Sequence, residues 1–157
     1  MLYTKEQRAR RDATVWTTVQ GILAPIQFLV CAVSVALVLR YLATGAGYEL
    51  ATASILLKTL LLFTIMVTGA IWEKVVFGQY LFAPAFYWED MVSMAVIALH
   101  LAYLVALLTG AATGVQMALA LAAYTVYVIN AVQFVLKLRA ARLDQAQRQA
   151  DGPVVTA

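Results

Sequence analysis

Hydrophobic and polar positions along this chain fall into long blocks, not into the short alternations of a sheet. Four apolar runs, at about 15–42, 50–77, 88–109 and 115–138, each reach the roughly 20 residues that carry an α-helix across a bilayer. The separators carry residues typical of turns: "ATGAGYE" after the first run and "GAATG" after the third. A longer stretch, "WEKVVFGQYLFAPAFYWED", divides the second run from the third. This pattern predicts an all-α, integral membrane four-helix bundle, with a basic N-terminal segment at 1–14, a transmembrane domain at 15–138 and a polar tail at 139–157. The tail is expected to begin as a polar extension of the fourth helix, to end at Gly152 and Pro153, and to fray.

Composition sharpens that picture. With 64% hydrophobic and 12% charged residues and a mean hydropathy of +0.84, the chain lies far outside the range of soluble domains, and four spans use up most of its length. The net charge of +3 does not point to nucleic acid, because the basic residues sit in short segments flanking the spans, where topology and membrane lipid explain them. Lys5, Arg8, Arg10, Arg11, Lys74, Lys137, Arg139, Arg142 and Arg148 fall on one side, against Arg40 on the other and Lys58 within a span. The positive-inside rule puts both termini and the long loop in the cytoplasm. The N-terminus is basic like the start of a signal peptide, but the apolar run behind it is too long and lacks a small-residue cleavage site, so it is expected to be a retained first helix. The single Cys31 offers neither a disulfide nor a CxxC pair and is expected to be a packed, inert thiol.

Candidate chemistry gathers around the long loop. Glu73 falls in the last turn of the second span, where the helix dipole disfavours a carboxylate, and near hydrocarbon it is expected to hold its proton and serve as a general acid. The alternative is a wetted or paired carboxylate at the loop edge. Glu89 and Asp90 open the third span, where capping explains one of them, and a second acid facing Glu73 suggests a base that works with it. His100 lies eleven residues beyond Glu89, near the bilayer midplane, as either a metal ligand or a neutral histidine bonded to another helix. A single histidine cannot supply both axial ligands of a haem, which weakens a redox reading. Lys58 is expected to snorkel toward the outer surface. Gln20 and Gln27 on the first span, and Asn130, Gln133 and Lys137 on the fourth, are expected to bond helix to helix. Seven of the seventeen aromatic residues lie between Trp72 and Asp90. Interface belting accounts for the tryptophans. Phe and Tyr interleaved with Gly78 and Pro84 describe instead a structured loop whose Trp72, Tyr80, Phe82, Phe86 and Trp88 could form a stacking shelf for a flat ring.

The segments "YTKEQRARRDATVWTTVQGILAPIQFLV", "ATASILLKTLLLFTIMVTGAIWEKVVFGQYLFAPAFYWEDMVSM" and "YTVYVINAVQFVLKLRAARL" together resemble the 3-vinyl (bacterio)chlorophyllide hydratases of bacteriochlorophyll biosynthesis. The likeness covers nearly the whole chain up to about Leu143. It implies a hydro-lyase of the bacterial inner, intracytoplasmic membrane that adds water to the 3-vinyl group of chlorophyllide a or 3-vinyl bacteriochlorophyllide a. The product is the 3-(1-hydroxyethyl) pigment, and no cofactor is implied. Set beside the residues, this suggests Glu73 as acid, Glu89 or Asp90 as base, the loop aromatics as shelf, and His100 as a ligand to the substrate's magnesium, the protein holding no metal of its own. A non-catalytic pigment-binding or assembly subunit is the competing reading, and an oligomer or contact with neighbouring pathway enzymes is open in either case.

Overall fold

The structure, a computed structural model, describes the backbone of residues 2–150 and the side chains of residues 2–147. Gly152 and Pro153, the expected end of the tail, lie outside the described residues. Five helices follow one another: α1 Lys5–Ala13, α2 Val15–Thr44, α3 Tyr48–Phe77, α4 Tyr87–Leu108 and α5 Thr113–Ala150. No strand occurs among the described residues. The last four are long and apolar enough to cross a membrane, with mean hydropathies of 2.5, 2.1, 2.3 and 1.8.

Helix α1 was not anticipated within the basic segment. Its start is written in the sequence all the same: the Thr4 side chain accepts from Gln7 N–H, and the Gln7 side chain accepts from Thr4 N–H, which is a capping box. Thr14, at ψ 137°, breaks the helical path, and its hydroxyl accepts from Trp16 N–H to begin α2. Pro25 lies inside α2 without ending it. Glycines at positive φ close the turns, Gly45 after α2 and Gly78 after α3 among them, a conformation that costs glycine nothing.

Helix α2 packs chiefly on α3, and α4 on α5. The two hairpins meet mainly through α2 and α5, with a lighter contact between α3 and α4. The polarity of the bundle is inverted relative to a soluble protein. Leu29, Leu60, Val67 and Val135 are exposed on its outside. Gln27, Ser34, Lys58, Thr59, Ser93, His100, Gln116 and Asn130 are buried inside it. A bilayer rewards this distribution, because lipid tails solvate leucine as well as a core does and only polar groups gain by turning inward. Ser34 is one junction of the interior, bonded to Ser54 at 2.7 Å and to the Tyr124 hydroxyl at 2.7 Å, which ties α2 to α3 and α5.

Two polar side chains depart from or fulfil the expectations in an instructive way. Gln20 bonds Thr68 at 2.7 Å across α2 and α3, as expected of an interhelical amide. Lys58 does not snorkel. It is 0% exposed, its ammonium donates to Gln27 Oε1, and it lies 3.5 Å from the centre of the Tyr127 ring. The physical reason is its place in α3: ten residues from the start of a thirty-residue helix, about 15 Å along the axis, it is too deep to reach water and takes an amide and an aromatic face instead. Cys31 is buried and unpaired, as a packed thiol should be.

Candidate active site

The loop 78–86 is shaped by its ends. Gly78, at φ 90°, stops α3, and Lys74 turns back to donate to Gly78 O at 2.8 Å, so it faces away from its neighbour Glu73. Pro84 keeps the preceding residue out of the helical region, and Phe86 N–H closes a turn onto Ala83 O at 2.8 Å before α4 begins. Between these anchors Phe82 adopts φ 59°, the one non-glycine residue at positive φ among the described residues. Such a conformation persists in a bulky side chain only where its surroundings impose it.

That imposed conformation sends two successive backbone N–H groups to two carboxyls. Phe82 N–H donates to Asp90 Oδ2 at 2.7 Å, and Ala83 N–H donates to Glu73 Oε2 at 3.2 Å. Glu73 and Asp90 thus converge on one dipeptide and act on each other electrostatically, and they are 5% and 3% exposed. Two buried carboxyls brought to adjacent N–H groups repel each other when both are ionised, which is the arrangement that favours one proton between two acids. The structure thus brings together Glu73 from one hairpin and Asp90 from the other.

Glu89 is positioned differently. Its carboxylate pairs with Lys137 of α5, and Lys137 also donates to Ala85 O. The Glu89 backbone carbonyl is held by Asn130 Nδ2 at 2.8 Å and by Ser93 Oγ at 2.9 Å. Of the polar stripe on α5, Asn130 and Lys137 therefore do bond helix to helix, while the buried Gln133 Oε1 has no partner. The stripe was visible in the sequence, but its work of fixing the start of α4 was not.

The aromatics do not form one shelf. Trp72 and Phe86 turn inward: their rings meet edge on at 5.6 Å, Phe86 is 1% exposed and stacks on Phe134, and Trp72 Nε1 donates to Thr17 Oγ1 at 2.9 Å. Tyr80 and Trp88 turn outward, with Trp88 71% exposed, while Phe82 is half-buried against Tyr87. The division follows from α4, where Phe86 and Asp90, four residues apart, share the inner face and Trp88 lies on the other. The inner cluster contains a residue that sequence reasoning missed: Tyr3, 3% exposed, stacked on Phe77 at 5.8 Å and 17°, with the Arg11 guanidinium 4.8 Å over its ring. Burial pushes the Tyr3 phenol up from its ordinary range, against the lowering effect of Arg11.

His100 belongs to a second level. Ten residues beyond Asp90 on α4, it is about 15 Å further along the axis and 1% exposed. Its Nδ1 bonds Val96 O at 2.8 Å, so that nitrogen carries the proton and Nε2 presents a lone pair that meets no partner. The structure therefore does not bring His100 to the carboxyl pair. Two apolar grooves of about 350 and 310 Å³ open toward lipid between α2 and α5, lined by Val35 and Val128 in common; neither touches the carboxyls.

The family model of 2-vinyl bacteriochlorophyllide hydratase (BCHF) matches residues 3–140. A 2-vinyl bacteriochlorophyllide hydratase of Cereibacter sphaeroides is 74% identical over 148 residues, 94% of this chain and 92% of the relative. The protein of the same name from Rhodobacter capsulatus is 70% identical over 149 residues, 95% of this chain and 87% of the relative. No solved structure matches. From the N-terminal cap to the end of the bundle, this chain belongs to the 2-vinyl bacteriochlorophyllide hydratase family.

Proposed function

We infer that this chain, like the relatives whose name it shares a family with, is a hydro-lyase that adds water across the vinyl group of a chlorophyllide-type pigment. The vinyl numbered 2 in the relatives' names is position 3 in the other ring-numbering convention, and the substrates envisaged are chlorophyllide a and 3-vinyl bacteriochlorophyllide a. The observation that carries the mechanism is the convergence of Glu73 and Asp90 on the adjacent N–H groups of Ala83 and Phe82. Glu73 lies in the last turns of α3, where the dipole disfavours charge, and Asp90 lies in the first turn of α4 with the shorter N–H bond from Phe82. This favours a proton on Glu73 and a charge on Asp90.

Hydration then proceeds in three movements. Glu73 gives its proton to the terminal vinyl carbon, leaving a cation on the inner carbon that the conjugated ring delocalises. A water attacks that carbon and loses a proton to Asp90. The proton passes from Asp90 to Glu73, which restores the starting state with nothing else consumed. Glu89, neutralised by Lys137, is left a structural part. His100 would serve the substrate's magnesium only in a pose extending well down the bundle, and the reaction above assigns it no step. The basic residues near the carboxyl end of the bundle favour a cytoplasmic site in the bacterial inner, intracytoplasmic membrane.

The test is to incubate membranes containing the chain with 3-vinyl chlorophyllide a and to seek, by chromatography and mass spectrometry, a product heavier by one water. Glu73→Gln and Asp90→Asn should each lose about a hundredfold to ten-thousandfold in rate, with Glu89→Gln affected less. Full activity in a folded Glu73→Gln protein removes the assignment, and pigment bound but unchanged by the native chain favours a carrier or assembly subunit.

A further inference from the structure

The carboxyl pair is closed: Glu73 and Asp90 are both nearly inaccessible, so a pigment reaches them only if something leaves. The residue best placed to leave is Tyr3. Its ring is buried to 3% exposure on a floor made by Phe77, on which it stacks, and Phe86, 6.4 Å away, two rings that touch each other edge on at 5.8 Å. This floor adjoins the carboxyls. Val76, which packs in the same cluster, is three residues from Glu73 on α3, and Phe86 is four residues from Asp90 on α4, so both stand one turn from the pair on the same faces. No polar group of the bundle ties Tyr3 there: its buried hydroxyl makes no hydrogen bond to α2–α5, and the charge that acts on it is Arg11, which belongs to α1.

The rest of the N-terminal segment is built to move with it. Helix α1 lies against α3, but none of its residues is buried and its sequence, KEQRARRDA, gives it no apolar face, so its hold on the bundle is polar and exchangeable for water or headgroups. Between α1 and α2 lies the non-helical Thr14, a joint that can change direction without unwinding either helix. The joint is bridged by Thr17 Oγ1 donating to Arg11 O at 2.6 Å, a bond to the last turn of α1, whose Arg11 lies over the Tyr3 ring, so Tyr3 and α1 move as one and the swing exchanges this bond. An α1 swung outward carries Lys5, Arg8, Arg10 and Arg11 toward anionic headgroups, where a basic helix is favoured.

We propose that the aromatic floor formed by Phe77 and Phe86 is the seat of the substrate's flat conjugated ring, and that Tyr3 is the placeholder that covers it in the closed form. This rests on the hydratase reading and gives it a specific ring site: α1 turns at Thr14, Tyr3 withdraws, and a tetrapyrrole edge enters beside the carboxyl pair.

Competition between an internal and an external ring has a signature that a structural role lacks. Removing the placeholder tightens pigment binding. The full-length protein, purified in detergent and carrying Glu73→Gln to prevent turnover, is titrated with chlorophyllide a and followed by the shift of the pigment's absorption. Tyr3→Ala is expected to bind about tenfold more tightly than the parent. Tyr3→Phe keeps the ring, sheds the unpaired hydroxyl, seats better, and is expected to bind several-fold more weakly. Circular dichroism checks that both variants retain their helices. Unchanged or weaker binding by Tyr3→Ala overturns the proposal, and so does tighter binding by both variants. If the native chain makes no hydrated product while Tyr3→Ala still binds more tightly, the hydratase reading falls and the ring seat stands. If hydration proceeds and the two affinities do not separate, the seat is elsewhere.

Discussion

Removing the Lys137 ammonium should unsettle the site through charge, not shape. In Lys137→Met the side chain keeps most of its length, but Glu89, whose side chain is 8% exposed, is left as a buried carboxylate without its partner. Breaking one side of a buried ion pair typically costs about 3–5 kcal/mol. The Lys137 side chain is 26% exposed, so water can partly replace it, and about 2–3 kcal/mol is expected here. The lost bond to Ala85 O falls within that figure. Unfolding of the detergent-solubilised protein by denaturant measures the loss. The decisive comparison is the pair of single variants with Glu89→Gln/Lys137→Met. With the charge removed as well, the double variant should be more stable than Lys137→Met alone, by about 1–2 kcal/mol; that gain together with the loss in Glu89→Gln alone is the coupling between the two side chains. A Lys137→Met protein as stable as the parent would refute the reasoning, and so would a double variant in which the two losses simply add.

Two further substitutions probe the backbone and the midplane. Phe82 at φ 59° reverses the usual order of alanine and glycine: Phe82→Gly should be about 1 kcal/mol more stable than Phe82→Ala, read by the same unfolding assay, and equal stability would mean that the loop relaxes freely. At the midplane, Lys58 has no ion-pair partner among the described residues, so Lys58→Met/Gln27→Leu, which removes both polar groups together, should stabilise the bundle by about 1–4 kcal/mol. A loss of stability, measured by thermal unfolding, would contradict that expectation.

The sequence exposed the spans well because a bilayer demands length and apolarity, and both are visible in a single chain. The position of Glu73 at a helix end and of Asp90 at a helix start was equally legible, and their meeting followed from the short loop between them. What was not legible is everything decided by rotation about a helix axis. Glu89 and Asp90 are adjacent in sequence, yet one faces Lys137 and the other Glu73, and no composition or spacing rule chooses between them. The same holds for the aromatics, of which Trp72 and Phe86 became interior and Tyr80 and Trp88 surface. Lys58 was misjudged on depth, because an 0% exposed lysine requires a partner on another helix, and Gln27 gave no sign of being that partner. Tyr3 could have been suspected, since the capping box at Thr4 fixes a helix beside it.

The division of the bundle into two hairpins has a consequence for biogenesis. Helices α2 and α3 form one hairpin and α4 and α5 another, and each helix is satisfied by its own backbone bonds, so neither hairpin needs the other in order to enter a bilayer. Glu73 travels with the first and Asp90 with the second. A chain that has entered the membrane but has not yet brought its halves together therefore carries two isolated acids and no shared proton. If the pair carries out the hydration as proposed above, catalytic competence arrives only with the packing of the two hairpins, after the chain has entered the membrane.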